Sequence, residues 1–249
     1  MIISKAIDAI SAIIRITFSL NFFHSSLLKY MKTLTDLKRF NMIEQQIRTW
    51  DVFDALILDL YDKIKREEYV PELYKKIAFT DTQIPLKHKQ YMLAPKQEAR
   101  VLQSLQLKPT DQILHVGTGT GFFAALLASL SKHVVTIDLF ENFLEEAKSI
   151  HQKNNLLNLS YINDDGIQGN LDFAPYDVIV FTGGVPKEPL GLREQLKIGG
   201  KLFLFEGTEM LMKANLIEKV GPNEYEYKSI FEDVIPFLVM KGKSSKFIF

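Results

Sequence analysis

The sequence predicts an α/β fold with a mostly parallel sheet and helices on both of its faces. Two observations lead to this prediction. From residue 112 to residue 205, short apolar runs typical of buried strands alternate with segments rich in helix formers. The first run begins at Gln112 and stops at three glycines in alternate positions, Gly117, Gly119 and Gly121, just before the helix-forming stretch 122–130. Sheets of this kind bind ligands where their strands end.

The spacing of the glycines narrows the kind of ligand. Glycine allows a ligand to approach the main chain closely, and the helix start behind the turn favours an anionic or polar group. The dinucleotide pattern G-x-G-x-x-G would need glycine where Phe122 stands, and a phosphate-binding P-loop would need lysine there. The pattern G-x-G-x-G instead resembles the first motif of methyltransferases that use S-adenosylmethionine. The alternative is a glycine-rich loop of some other α/β protein.

An acid at the end of the next predicted strand supports a nucleoside ligand. The run His133–Asp138 reads as a buried strand, and Asp138 lies about 20 residues beyond the first glycine, where such folds place a ribose-binding carboxylate. A carboxylate can accept hydrogen bonds from both ribose hydroxyls. For Asp138 alone, a strand-end or helix-capping acid is the alternative. The predicted cofactor-binding residues all lie at or just after strand ends: Gly117, Thr118, Gly119, Gly121, Asp138, Leu139, Asp165, Gly166 and Thr182.

The remaining elements continue the alternation. Helices are predicted over 141–154 and 191–197, strands over 159–163, 176–182 and 201–205, and a turn at 164–166. The segment 31–60 has a helical pattern, and Asp54 is predicted to cap a helix over 55–65. Antiparallel β-structure is predicted over 225–249, at one edge of the sheet.

Composition excludes several kinds of site. Hydrophobic residues make up 47% of the 249 residues, which predicts a sizeable core. Thirty basic and thirty acidic side chains cancel, so nothing indicates nonspecific binding of nucleic acid. Cysteine is absent, which excludes disulfides and thiolate ligands. With five scattered histidines, no metal centre is expected.

Residues 1–30 differ from the rest of the chain. They hold one acid, Asp8, and an apolar face at helical spacing formed by Ile7, Ile10, Ile13, Ile14 and Phe18. Charged residues interrupt this face, so it is not expected to span a membrane. We expect an upstream extension that the fold does not need, with the true start at Met31. The alternative is an amphipathic arm that docks on a surface.

Several blocks, in order and spacing, resemble the protein-L-isoaspartate O-methyltransferase family. They cover nearly the whole chain after Met31. The blocks are 42–48 with 51–54, 69–71, 78–81 with 84–85, the glycine motif, 165–166, 174–180, 195–202 and 234–237.

This resemblance implies a Rossmann-like fold that uses S-adenosyl-L-methionine as its cofactor. It implies one domain over 31–249, with a helical substrate-side segment over 31–105 and a cofactor-binding sheet over 106–249. The implied reaction is methyl esterification of isoaspartyl carboxylates in damaged proteins or peptides, which is protein repair. A cytoplasmic monomer without a nucleic-acid partner is expected. The alternatives are a methyltransferase for another carboxylate or small molecule, and a cofactor-binding module with little turnover.

Two departures from the family affect the predicted site. The family has a Thr-x-Ser-x-Pro loop whose hydroxyls line the active site, whereas Gln90–Pro95 here has Tyr91 and Leu93 at the two hydroxyl positions. These are the candidate catalytic positions, and isoaspartyl methylation is expected to be present but slow. The family also has an acid in the place of His115 that helps to hold the cofactor's amino group. A neutral His115 could accept one hydrogen bond there, or it could be a strand-end histidine.

Truncation tests the prediction for the extension. A protein that begins at Met31 should melt at nearly the temperature of the full chain, because residues 1–30 are expected to lie outside the core. Thermal unfolding of both proteins, followed by circular dichroism, measures this. A large drop on truncation would instead show that Ile7, Ile10 and Ile14 belong to the core.

Overall fold

The computed structural model describes residues 33–241. The predicted extension, residues 1–30, lies outside these residues, as does the end of the predicted C-terminal β-structure. The chain divides into two compact units, Met1–Asn41 and Met42–Phe249. In the first unit, helix α1 (Leu34–Met42) begins, and it agrees with the helical pattern of this segment.

Short helical elements and a hairpin open the second unit. A π-helical turn (Ile43–Ile47) and a 3-10 turn (Arg48–Trp50) come first. The helices that follow are α2 (Ala55–Lys63), α3 (Arg66–Tyr69) and α4 (Pro95–Leu105), with a 3-10 segment at Glu72–Ile77. Between them, β1 (Ile84–Pro85) and β2 (Tyr91–Met92) pair as an antiparallel hairpin. Asp54 caps α2 as predicted, since its Oδ1 accepts a hydrogen bond from the Leu56 amide at 2.9 Å.

A seven-stranded sheet forms the centre of this unit. Its strands are β3 (Gln112–Val116), β4 (His133–Asp138), β5 (Leu159–Asn163), β6 (Tyr176–Val185), β7 (Leu196–Thr208), β8 (Leu211–Gly221) and β9 (Glu224–Asp233). Their order in the sheet is β5-β4-β3-β6-β7-β8-β9. The first five strands in that order run parallel, and β8 and β9 add an antiparallel edge. Helix α5 (Phe122–Leu130) follows β3, and helix α6 (Glu141–Lys153) follows β4.

Alternation along the central strands builds a core on each face of the sheet. On β3, Ile113 packs into one apolar cluster, while Leu114 and Val116 pack into the other. Successive side chains of a strand point to opposite faces, so both faces of β3 are covered. Because β3, β4, β5, β6 and β7 run parallel, their carboxyl ends lie together at one end of the sheet. A ligand can bind there.

One sequence-based prediction of secondary structure is wrong. The predicted helix over 191–197 is a single 3-10 turn, Arg193–Gln195. Gly191 has a φ of +83°, and Leu196 already pairs with Tyr176 at the start of β7, so pairing with a distant strand prevails over local helix propensity.

The predicted antiparallel C-terminal edge is confirmed, but its bounds differ from the prediction. The antiparallel edge begins earlier than predicted, at β8, and residues 234–241 leave it to return to the carboxyl ends of the parallel strands. There the amide of Leu238 donates to the Gly184 carbonyl at 3.0 Å, and the Gly184 amide donates to Pro236 at 2.9 Å. Gly183 permits this approach, because a Cβ there would lie 2.5 Å from Leu238 Cδ2. Within residues 33–241, none of the helices has the length and apolar character needed to cross a membrane.

Candidate active site

A pocket opens at the carboxyl ends of β3, β4 and β6. It collects seven of the nine predicted cofactor-binding residues: Gly117, Gly119, Asp138, Leu139, Asp165, Gly166 and Thr182. Tyr91 of the hairpin lines the same pocket, and apolar side chains complete its walls: Leu86, Val116, Ile137, Phe140, Phe143, Ile167, Leu238 and Val239. A polar floor within apolar walls is typical of small-molecule sites.

The glycine turn leaves space for a ligand. Gly117 and Gly119 have φ angles of +95° and +50°, which side-chain-bearing residues rarely adopt. A Cβ on Gly119 would project toward the hairpin, 3.6 Å from Leu86 Cδ1, into the space between the turn and that side chain. The turn and the acid of β4 together fit a nucleoside with a polar tail, which is the chemistry of S-adenosylmethionine.

The other two predicted residues hold the turn in place and do not line this pocket. Gly121 lies against α6, where a Cβ would be 2.5 Å from Ala147 Cβ, and its carbonyl oxygen is 2.8 Å from His151 Nε2. The Thr118 side chain is buried, with its hydroxyl 2.7 Å from that of Thr136. Both residues therefore shape the turn from behind.

Most amides of the turn donate within the protein. The Gly117 and Thr118 amides donate to the Ile137 carbonyl at 2.9 and 3.3 Å, and the Gly121 amide donates to Thr118 at 2.8 Å. The Gly119 amide donates to Asp138 Oδ2 at 2.9 Å. The turn thus has fewer amides to offer a ligand carboxylate than its sequence predicts.

Asp138 is the central acid of the pocket. Its Oδ2 accepts from the Gly119 amide, its Oδ1 accepts from the Phe140 amide at 3.0 Å, and the residue is only 9% exposed. Burial raises the pKa of Asp138, whereas the two amides and the nearby His88 oppose this rise. Each carboxylate oxygen has a second lone pair, so both oxygens can also accept from a ligand.

Asp165 fixes the part of the pocket wall that adjoins the C-terminal segment. Its Oδ1 accepts from the Ile167 amide at 3.2 Å and caps a short 3-10 turn, while its Oδ2 accepts from the Lys241 amide at 2.8 Å. Gly166 is packed tightly, since a Cβ there would lie 2.8 Å from Val116 Cγ1. The C-terminal segment therefore lies directly against the predicted cofactor residues.

The two candidate catalytic positions differ in environment. The Tyr91 side chain lines the pocket, and 44% of this residue's surface is exposed. Only 4% of the surface of Leu93 is exposed, and this residue packs in the core. Leu93 also lines a small cavity behind the turn, next to Thr118 and Thr182. A change at Tyr91 therefore alters the pocket, while a change at Leu93 also alters the core.

A buried ion pair fixes the loop that carries these positions. Arg66 is fully buried, donates through Nη1 to the Glu98 carboxylate, and donates through Nη2 to the Leu93 carbonyl at 2.7 Å. Its Nε donates to the Ala78 carbonyl at 3.1 Å. Burial raises the pKa of Glu98, and the Arg66 guanidinium opposes that rise. A buried arginine needs such partners because an unpaired buried charge is strongly destabilising.

His115 lies in a buried chain of hydrogen bonds. Its Nδ1 is 3.0 Å from the Thr136 hydroxyl, and its Nε2 is 3.0 Å from the Thr182 hydroxyl. Because Thr182 donates to the Gly117 carbonyl at 2.7 Å, it accepts from His115, which assigns the proton to Nε2. Nδ1 then accepts from Thr136, so the ring keeps no acceptor for a ligand. Of the two interpretations, the strand-end histidine is confirmed.

With this geometry in place, comparison with known proteins identifies the family. A family model described as protein-L-isoaspartate(D-aspartate) O-methyltransferase matches residues 37–240. This chain belongs to that family. It is 35% identical to the protein-L-isoaspartate O-methyltransferase of Koribacter versatilis, over 74% of this chain and 82% of that protein. It is 31% identical to the one of Protochlamydia amoebophila, over 81% and 96%.

Solved structures show the same fold. One protein-L-isoaspartate O-methyltransferase has a TM-score of 0.69 and 24% identity, covering 81% of this chain and 66% of that one. A putative family member from Plasmodium falciparum, solved with S-adenosyl-L-homocysteine, has a TM-score of 0.67 and 20% identity, covering 80% and 97%. The predicted Rossmann-like fold is confirmed. Family membership confirms the predicted isoaspartyl methyltransferase activity.

Sequence reasoning missed the parts of the candidate pocket that come from distant segments. Leu86 and Phe140 line the pocket, as does Leu238, yet none was predicted to be a site residue. Phe140 could have been found, because it follows Asp138 and Leu139 at the end of a predicted strand. For Leu238 the family block at 234–237 was a signal, but the segment was interpreted as part of an edge strand.

Replacing Asp138 tests its predicted role in this methyltransferase. Asp138→Ala should weaken binding of S-adenosyl-L-homocysteine by roughly 1.5–3 kcal/mol, the range for a hydrogen bond to a charged group. Calorimetry on the wild type and the variant measures this. Asp172→Ala is the matched control, since Asp172 is an exposed acid that does not line the pocket, and this variant should bind S-adenosyl-L-homocysteine as tightly as the wild type. Equal affinities for the wild type and Asp138→Ala would show that Asp138 does not bind the ligand. Binding of NAD in place of S-adenosyl-L-homocysteine would overturn the assignment as a methyltransferase.

The buried His115 predicts a pH dependence of stability. Burial lowers its pKa to about 3, whereas an unfolded histidine titrates near 6.5. Below pH 6.5 the unfolded chain therefore binds a proton that the folded chain does not, and stability falls as the pH falls. Between pH 7.5 and 5 this linkage lowers the free energy of unfolding by about 2 kcal/mol.

Denaturant unfolding at both pH values measures the effect. In His115→Gln, which keeps polar atoms but does not titrate, the pH dependence should shrink by that amount. An unchanged pH dependence would show that His115 titrates normally in the folded protein.

Proposed function

We propose that this chain methylates the free α-carboxylate of isoaspartyl residues in proteins and peptides, within the pocket between the glycine turn and Tyr91. The observation that carries the proposal is that Asp138 and Tyr91 line one pocket. Asp138 stands where a cofactor ribose would bind, and Tyr91 stands where the family places a substrate-facing hydroxyl. Cofactor and substrate would then meet across a single space.

The chain's own groups divide the work of binding. Asp138 accepts from the ribose hydroxyls, and the apolar walls at Phe140 and Ile167 bury the flat base. Gly117 and Gly119 let the cofactor approach the main chain. S-adenosylmethionine, when bound, supplies a methyl group activated by its sulfonium sulfur. Thr118 and Gly121 act indirectly, by holding the turn.

The reaction needs no general base. A free α-carboxyl has a pKa of about 3.5 and is ionised at neutral pH. His115 is buried with both ring nitrogens bonded, which agrees with a site where no proton is removed. Catalysis then comes from holding the carboxylate in line with the methyl group, which is worth up to ~7–11 kcal/mol in the best intramolecular cases. The loop 90–95, which Arg66 holds through the Leu93 carbonyl, supports this positioning role.

Methyl transfer to matched peptides tests the proposal. With labelled cofactor, a peptide that contains isoaspartate should accept methyl groups, and the same peptide with normal aspartate should not. Equal transfer to both peptides would indicate a methyltransferase for other carboxylates. Cofactor binding without any transfer would indicate a binding module.

Tyr91 provides a sharper test of positioning. Tyr91→Thr places a short hydroxyl in the pocket and should raise kcat/KM for the isoaspartyl peptide roughly two- to twelve-fold, the value of one hydrogen bond of ~0.5–1.5 kcal/mol. Tyr91→Phe is the matched control, because it removes only the hydroxyl and should leave the rate unchanged. Radiolabel transfer at several peptide concentrations measures both variants.

Two outcomes would contradict this view of Tyr91. A large loss of rate in Tyr91→Phe would show that the Tyr91 hydroxyl already positions the substrate. An unchanged rate in Tyr91→Thr would show that a short hydroxyl there contributes nothing. Leu93→Ser is a poorer test, since shortening a buried leucine to a small residue costs about 2–5 kcal/mol of stability.

Three further expectations remain predictions: that the protein is monomeric, that it is cytoplasmic, and that it has no nucleic-acid partner. The assignment of residues 31–105 to the substrate side is also a proposal. The position of Tyr91 supports it, because this residue belongs to that segment and lines the pocket.

A further inference from the structure

The hairpin formed by β1 and β2 is one wall of the pocket. Its strands pair Ile84 with Met92 and Pro85 with Tyr91, and the Leu86 amide donates to the Gln90 carbonyl at 2.8 Å. Leu86, Gln90 and Tyr91 all line the pocket. Any movement of the hairpin therefore opens or closes the pocket and also moves Tyr91.

The tip of the hairpin rests on the residues that follow Asp138. The His88 ring stacks on the Phe140 ring, with centroids 3.8 Å apart and planes 3° from parallel. His88 Nε2 is 2.9 Å from Asn142 Oδ1 in the first turn of α6. Phe140 lines the pocket, and its amide donates to Asp138. The stack therefore joins the hairpin to the acid of the pocket through a single residue.

Backbone strain marks the same tip. His88 and Lys89 have φ angles of +57° and +56°, the left-handed region that side-chain-bearing residues seldom occupy. Such residues persist where their surroundings hold them, and they cluster at ligand clamps. Both residues are exposed, so burial does not hold them. The contacts that hold the His88 side chain are the stack on Phe140, the bond to Asn142 and an edge-on contact with the Phe143 ring, with centroids 5.6 Å apart.

The hairpin tip also makes an ion pair, which is weak by comparison. Lys87 Nζ lies 2.8 Å from Glu146 Oε1, but the two side chains are 65% and 57% exposed. Exposed ion pairs contribute little to stability, because water and salt screen them. A face-to-face ring stack at van der Waals distance has no such screening, so it is the stronger anchor.

We propose that the hairpin is a flap over the cofactor pocket and that His88 is the positioning residue that latches it closed on Phe140. This inference rests on the proposed use of the pocket for S-adenosylmethionine. The closed flap covers the bound cofactor and holds Tyr91 beside it. Loss of the latch leaves the flap open for more of the time and speeds release of cofactor and product.

Ligand binding tests the latch. His88→Ala should raise the Kd for S-adenosyl-L-homocysteine roughly two- to twelve-fold, the value of an aromatic pair, with most of the change in the dissociation rate. Lys89→Ala is the matched control, since it alters the next strained residue without touching Phe140 and should change Kd less than twofold. His88→Phe restores a ring and should restore most of the affinity. Calorimetry and stopped-flow dissociation measure these effects.

A second measurement needs no ligand. Hydrogen exchange of the Leu86 and Gln90 amides should be faster in His88→Ala than in Lys89→Ala, because both amides donate within the hairpin. A double-mutant cycle with Phe140→Leu should show that the effects of His88 and Phe140 on Kd are not additive.

The outcomes separate the latch from the proposed function. If the wild type does not bind S-adenosyl-L-homocysteine, the proposed function is overturned, and with it the role of the latch in cofactor binding. If the wild type binds and His88→Ala behaves like Lys89→Ala in both affinity and exchange, the latch alone is overturned. Additive effects of His88 and Phe140 would also overturn it.

Discussion

The carboxylate of Asp138 is the interaction on which the pocket depends. It accepts from the Gly119 amide of the turn after β3 and from the Phe140 amide before α6. The main-chain carbonyl of Asp138 accepts from the Asp164 amide at 3.2 Å and from Asn163 Nδ2 at 3.1 Å, at the end of β5. One residue thus ties together the ends of three adjacent strands. Hydrogen bonds to a charged group contribute about 1.5–3 kcal/mol each, which offsets the cost of burying the acid.

The shape and the charge of the pocket therefore have the same cause. Burial raises the pKa of Asp138, and the amides that oppose this rise are those that fix the turn and the start of α6. If the charge were lost, both the proposed ribose acceptor and the anchor of the turn would be weakened. The latch adds to the same centre, since Phe140 bonds to Asp138 through its amide and contacts His88 through its ring.

The central part of the fold could be predicted from the sequence because its signals are local. The bounds of α5, β4 and β5 agree with the prediction residue for residue, since glycine directly precedes α5, an acid ends β4 and an acid directly follows β5. The helix predicted over 191–197 is wrong because the structure there is decided by a non-local contact. There the pairing of Leu196 with Tyr176, twenty positions earlier, decides the structure, and no local pattern encodes it.

The same distinction applies to the site. Residues that directly follow strands, such as Gly117 and Asp138, were predictable because parallel strands end at one edge. The walls made by the hairpin and by Leu238 depend on contacts between segments far apart in the sequence. The Arg66–Glu98 pair is another such contact, spanning 32 positions. It explains why Leu93 lies in the core beneath the loop, although the sequence alone made it a candidate catalytic position.

The neighbours of His115 accommodate a histidine at the position where the family has an acid. Its hydrogen-bonded chain runs from Thr118 through Thr136 to the ring, and from the ring through Thr182 to the first glycine of the turn. A neutral ring fits this chain, because it has one acceptor for Thr136 and one donor for Thr182. An acid in its place would bring only acceptors, and Thr182 could not then donate to both the acid and Gly117. The histidine therefore stabilises the turn from below but contributes no negative charge to the pocket. Under the proposed function, attraction for a positively charged cofactor is therefore left to the acids at the ends of β4 and β5.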